Sequence, residues 1–143
     1  FGKNGEAVFR TEIALDGSVW NAKNEYLNQL EFIDKSVKSV IDEILDNSKI
    51  PPIIVLMSDH GPGAPEEVKG FEDRAIVRSQ ILNTVYSPDG DIELYHSMTP
   101  VNVFRLIFNA YFDTNYEILE DESYFTSSYE NPFSLIRVTE FAK

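Results

Sequence analysis

An α/β fold, a largely parallel β-sheet sandwiched between helices, is predicted by three features of the sequence. A long amphipathic period starts at Tyr26, a continuous apolar run Ile53–Met57 follows two prolines, and that run stops in a polar, glycine-rich turn. A length of 143 residues with 43% hydrophobic content supplies one packed core rather than a disordered chain.

Residues 6–20 scatter Val8, Ile13 and Leu15 among polar neighbours around Asp16-Gly17, the pattern of a short hairpin or ordered loop. From Tyr26 the apolar residues Leu30, Ile33, Val37, Val40, Ile41, Ile44 and Leu45 recur every three or four positions, which is an amphipathic helix of about six turns. It ends near Asp46-Asn47, because Pro51 and Pro52 lack the amide proton a helix needs and push the preceding residue out of helical geometry. Ile53-Ile-Val-Leu-Met57 then shows no alternation, as expected of a central parallel strand covered on both faces. Open parallel sheets hold ligands beyond the carboxyl ends of their strands, where Ser58-Asp59-His60-Gly61-Pro62-Gly63 falls.

Past a polar loop at 64–73, Ala75–Val77 and Gln80–Tyr86 offer a further strand closed by Ser87-Pro-Asp-Gly90. Thr99 to Phe112 reads as a second helix, with Thr99 as N-cap and Pro100 at the first helical position. The Tyr and Phe residues between 104 and 133 read as core, and Phe133–Val138 as an edge strand.

With 24 acidic against 12 basic residues, the net charge of −12 repels phosphate backbones, so nucleic acid is not an expected partner. The absence of cysteine removes disulfides, thiolate zinc sites and iron–sulfur clusters from consideration. The longest apolar stretch, Ile50–Met57, is far below the ~20 residues of a membrane-spanning helix and holds two prolines, so no membrane segment is expected in this chain.

Asp59-His60 places a hard carboxylate oxygen beside a borderline imidazole nitrogen, a donor pair suited to Zn²⁺ or Mn²⁺, with Mg²⁺ or Ca²⁺ as further candidates. At a strand end entering a tight turn, both side chains can aim into one cavity, and Gly61 permits that turn. For the tripeptide alone the alternative is a turn in which Asp59 accepts from its own backbone and His60 is a surface residue. Arg74 and Arg78, and more weakly His96, are candidates to face an anionic substrate. Asn102 and Arg105 suit a role in securing the second helix to neighbouring loops.

The order of helix, Pro51-Pro52, apolar strand, Ser58-Asp59-His60-Gly61-Pro62, and later Tyr95-x-x-Met-Thr-Pro-Val-Asn-Val-Phe-Arg resembles the C-terminal part of sulfatase-like proteins in the alkaline phosphatase superfamily. That group includes alkaline phosphatases, arylsulfatases, and phosphoglycerol transferases of the lipoteichoic acid synthase type. The resemblance covers roughly residues 26–124. It implies that residues 1–143 form the C-terminal portion of one catalytic domain, a metal-dependent hydrolase or transferase of phosphate or sulfate esters. Asp59 and His60 match metal ligands of the family. The family's nucleophile and early acidic ligand lie in an N-terminal half not found in this sequence, and no Cys/Ser-x-Pro-x-Arg motif occurs. The isolated chain is therefore expected to be inactive, with that half as its partner. Many relatives are membrane-anchored with an extracytoplasmic catalytic domain. From a different class, the rival reading is a non-catalytic interaction module that keeps the fold.

Overall fold

The computed structural model describes residues 2–7, 23–62, 68–126 and 130–141. The chain divides into two compact units, one of residues 1–52 with 64–67 and one of residues 53–63 with 68–143. The short hairpin or ordered loop expected over residues 6–20 falls almost entirely on residues 8–22, outside the described residues.

In the first unit, α1 (Lys23–Asn47) stops where the prolines predict. Exposed ion pairs one turn apart, Glu31–Lys35 at 2.7 Å and Lys38–Asp42 at 2.6 Å, line its polar side. Exposed pairs of this kind are screened by solvent and contribute little to stability. The apolar stripe is present but open to solvent at Leu27, Leu30, Ile33, Val40, Ile44 and Leu45.

The second unit runs β1 (Ile54–Met57), α2 (Phe71–Ser79), β2 (Asn83–Tyr86), α3 (Pro100–Tyr111), β3 (Tyr124–Phe125) and β4 (Ile136–Arg137). The parallel sandwich expected from the sequence is not formed. Among the described residues, three helices accompany two separate two-stranded antiparallel sheets, β1 with β2 and β3 with β4. The register pairs Ile54 with Tyr86 and Met57 with Asn83. The reason for the antiparallel sense lies in the connection. The turn after β1 is bonded to the segment before β2, with the amides of Ser58 and Gly61 donating to the carbonyls of Leu82 and Arg78 at 3.0 and 2.7 Å. β2 therefore starts from the end at which β1 finishes, whereas a parallel pair needs a crossover that returns along the whole sheet.

Residues 75–77, read above as strand, belong to α2. Glu72 and Asp73 in its first turn and Arg78 in its last complement the helix dipole. Ala75 is fully buried and Phe71 meets Phe125 edge to face at 5.5 Å, so tertiary packing overrides the β preference of Ile76-Val77.

One side of β1 packs on the core cluster, although all four of its residues are partly buried. Ile53, Val55 and Met57, spaced by two and thus on one side, pack with Val85 against Met98, Val103 and Ile107. The opposite side of the ribbon carries Thr84 and Tyr86 in the open. The aromatic residues expected in the core are largely outside it: Phe104, Phe108, Phe112, Tyr116, Tyr124 and Phe133 are all exposed, Phe133 at 90%. Helical geometry explains α3, since Val103 and Ile107 lie on one face and Phe104, Phe108 and Phe112 on another.

What fastens α3 is a polar network. Asn102 is fully buried; its Nδ2 donates to Leu119 O at 2.9 Å, Asp121 Oδ1 at 2.9 Å and Tyr95 Oη at 3.1 Å, and its Oδ1 accepts from Leu119 N at 3.0 Å. Thr99 occupies the N-cap position without capping through its own side chain. Asp121, 22 residues away, instead holds the N-cap residue itself, accepting from Thr99 N at 2.7 Å and Thr99 Oγ1 at 2.6 Å. Arg105 adds a bond to Glu117 O at 2.9 Å, so Asn102 and Arg105 do secure the helix to the segment that follows it.

Burial opposes ionisation of Asp121. Hydrogen bonds from the Thr99 hydroxyl, Tyr95, the Thr99 amide and Asn102 together outweigh it and hold the carboxyl below its ordinary range. A depressed folded value stabilises the protein above the unfolded pKa of about 3.9, and that stabilisation is lost as pH falls through the folded value. Urea midpoints between neutral pH and acid should therefore fall for the native chain, while Asp121→Asn starts lower and loses less. Parallel acid limbs in the two proteins would contradict this.

The candidate metal-ligand turn

Asp59 and His60 sit at the apex of a four-residue turn leaving β1, and both ends of the turn are tied down. Ser58 exchanges two bonds with Leu82: its amide donates to Leu82 O at 3.0 Å and its Oγ accepts from Leu82 N at 2.9 Å. Gly61 exchanges two with Arg78: its amide donates to Arg78 O at 2.7 Å and its carbonyl accepts from Arg78 Nη1 at 3.1 Å. Gly61 is buried, and a Cβ there would overlap the Val77 carbonyl oxygen and lie 2.7 Å from that of Gln80. The glycine is needed for close approach to the carbonyl end of α2.

Between these anchors the side chains of Asp59 and His60 face outward, 84% and 50% exposed. Asp59 Oδ1 accepts from the His60 amide at 2.9 Å, leaving Oδ2 directed at the imidazole, 3.3 Å from Nε2. His60 Nδ1 lies 2.8 Å from Gly61 O. A carbonyl oxygen only accepts, so this bond requires the proton on Nδ1 and, in the neutral ring, leaves the Nε2 lone pair facing Asp59.

With a protonated imidazole the 3.3 Å contact is an ion pair; with a neutral ring the same two atoms stand at a separation that a divalent ion would bridge. Two ligands ~2.0–2.2 Å from one tetrahedral ion lie about 3.3–3.5 Å apart, which matches the separation of Oδ2 and Nε2. A backbone carbonyl on the second ring nitrogen is also the usual outer partner of a metal-bound histidine. Two donors do not complete a site, however, and no group of three or more His, Asp or Glu positioned to hold a metal occurs among the described residues.

The turn is at the carboxyl end of its strand, as the sequence predicts, but the strand belongs to a two-stranded ribbon instead of the middle of a sheet. Arg74 is exposed on α2, one turn before Arg78 and on the same face. His96 is exposed in the turn preceding α3. That turn reaches the same end of the ribbon, because Asn83, opposite Met57, donates through Nδ2 to Met98 O at 3.3 Å. Neither Arg74 nor His96 has a bond to Asp59 or His60 among the described contacts.

The bond from Arg78 to Gly61 could not be read from spacing, because the partners are 17 residues apart and belong to different elements. No family model, curated protein or solved structure matches the chain.

Proposed function

We propose that this chain supplies the Asp59–His60 donor pair of a divalent-metal centre in a hydrolase or transferase of phosphate or sulfate esters, related to sulfatase-type proteins. The observation that carries the reading is the 3.3 Å separation of Asp59 Oδ2 and His60 Nε2, with the Nδ1 proton engaged by Gly61 O. The order of the Ser-Asp-His-Gly-Pro and Tyr-x-x-Met-Thr-Pro motifs supports it. The parallel-sheet sandwich is not part of it.

A cation held there supplies Lewis-acid polarisation of a phosphoryl or sulfuryl oxygen. Asp59 contributes the negative charge that favours the cation, and His60 a neutral nitrogen whose orientation Gly61 O sets. The anchored Ser58 and Gly61 keep the two donors in register, while their exposure leaves room for further ligands and the ester. Arg74, exposed on α2, is the candidate to draw in the ester's negative charge.

A cation held by these donors would polarise an ester without attacking it, and the family resemblance assigns the nucleophile to residues other than these. The 143-residue chain should accordingly show no turnover of p-nitrophenyl phosphate, bis-p-nitrophenyl phosphate or p-nitrophenyl sulfate with Zn²⁺, Mn²⁺ or Mg²⁺. Metal-dependent turnover by the chain alone would overturn the placement of the nucleophile. The exposed ridge Phe104, Phe108, Phe112 and Tyr116, with ring centroids 5.6–6.5 Å apart, favours a second reading, a non-catalytic interaction module. Metal binding that depends on Asp59 separates the two.

A further inference from the structure

We infer that Arg78 is a positioning residue for His60, acting through the Gly61 carbonyl. The inference rests on the reading of Asp59 and His60 as a metal-ligand pair. Gly61 O is the acceptor that fixes the imidazole, taking the Nδ1 proton at 2.8 Å. The same oxygen takes Arg78 Nη1 at 3.1 Å, and the Gly61 amide donates to Arg78 O at 2.7 Å. One residue of α2 thus grips the Gly61 residue through both its N–H and its C=O.

The carbonyl is thereby aimed by a charged, planar donor on a helix, not by the turn itself. Among the described contacts Asp59 and His60 have no comparable anchor to another element, since the carboxylate meets the next amide and the neighbouring imidazole, and the imidazole meets the next carbonyl and that carboxylate. Without the guanidinium, Gly61 O keeps a single donor and its peptide plane is freer to turn. The His60 ring then loses the acceptor that selects the Nδ1–H tautomer, and Nε2 takes the proton that blocks coordination.

The sequence has only two histidines, so ring nitrogens are readily assigned with a His96→Asn control. Long-range ¹H–¹⁵N spectra of the metal-free chain at alkaline pH should show the neutral His60 ring as the Nδ1–H tautomer. Arg78→Ala should shift it toward Nε2–H, and Arg78→Lys, which keeps a charged donor of similar reach, should restore the native tautomer at least in part. Co²⁺ titration of the same samples should give about tenfold weaker binding for Arg78→Ala, the order of loss seen when an outer partner of a metal ligand is removed. An unchanged tautomer in Arg78→Ala overturns the inference, whatever the Co²⁺ affinity. A tautomer that shifts as expected in a chain that takes up no Co²⁺ supports the positioning role and overturns the metal-site reading on which its purpose rests.

Discussion

Asn102→Ala is expected to destabilise the second unit by about 4 kcal/mol, because the substitution strands buried polar groups as well as opening a cavity. The side chain is fully buried and makes four bonds, two of which satisfy the amide and carbonyl of Leu119. Its removal leaves Leu119 N and O unpaired and takes one of the donors that hold Asp121 ionised. Asn102→Asp should be no milder despite its near-identical shape, since it replaces a donor with a second carboxylate against Asp121. Arg105→Ala is the control. It loses an exposed bond to Glu117 O and a contact with the Tyr116 ring, and should lower stability by less than about 1 kcal/mol. Urea unfolding followed by far-ultraviolet circular dichroism reads all three, and an Asn102→Ala effect no larger than that of Arg105→Ala would contradict the network's role.

Gly61→Ala is expected to cost about 3 kcal/mol, the upper range for forcing one extra methyl into a packed site. The obstacle is the backbone of α2, in the carbonyls of Val77 and Gln80, so no rotamer change relieves it. The turn must lift away, breaking the bond to Arg78 O and swinging Gly61 O off the His60 ring. Loss of stability and loss of metal uptake should therefore appear together. Gly90→Ala provides a contrast: that residue also needs care, with φ at 71°, but a Cβ there meets open space. Strain at Gly90 should reduce stability by roughly 1 kcal/mol and leave the Asp59–His60 turn intact. A Gly61→Ala chain with native stability and native metal uptake would contradict the close packing of the turn on α2.

The elements with strong local signals were legible. The end of α1 follows from Pro51-Pro52, β1 from its apolar run, and α3 from Thr99-Pro100, and each lies within a residue or so of its expected bounds. The errors came from context. A strand with no alternation reads as a central strand of a parallel sheet, but among the described residues β1 has a single neighbour, the antiparallel β2. Ile76-Val77 favours strand by residue type, and only the burial of Ala75 and the Phe71–Phe125 contact show why helix prevails. The aromatic residues of α3 carry a helical period, which states that they share a face without saying whether anything covers it. Within the candidate site, Asp59, His60 and Gly61 were legible as a turn after a strand. The anchoring of that turn was not, because Arg78 and Leu82 lie 17 and 24 residues away along the chain. Asp121 as the remote partner of Thr99 was hidden for the same reason, in a segment with no periodicity at all.

Calorimetric titration of the 143-residue chain with Zn²⁺, set beside the Asp59→Asn variant, tests the central claim most directly. The substitution keeps an oxygen to accept from the His60 amide, so the turn should hold its shape, while the ligand set loses its negative charge. The expected result is saturable one-to-one uptake by the native chain, weakened about a hundredfold or more in Asp59→Asn with an unchanged circular dichroism spectrum. Absence of saturable uptake by the native chain, or equal affinity in a folded Asp59→Asn chain, would show that the turn is a structural device and not part of a metal centre.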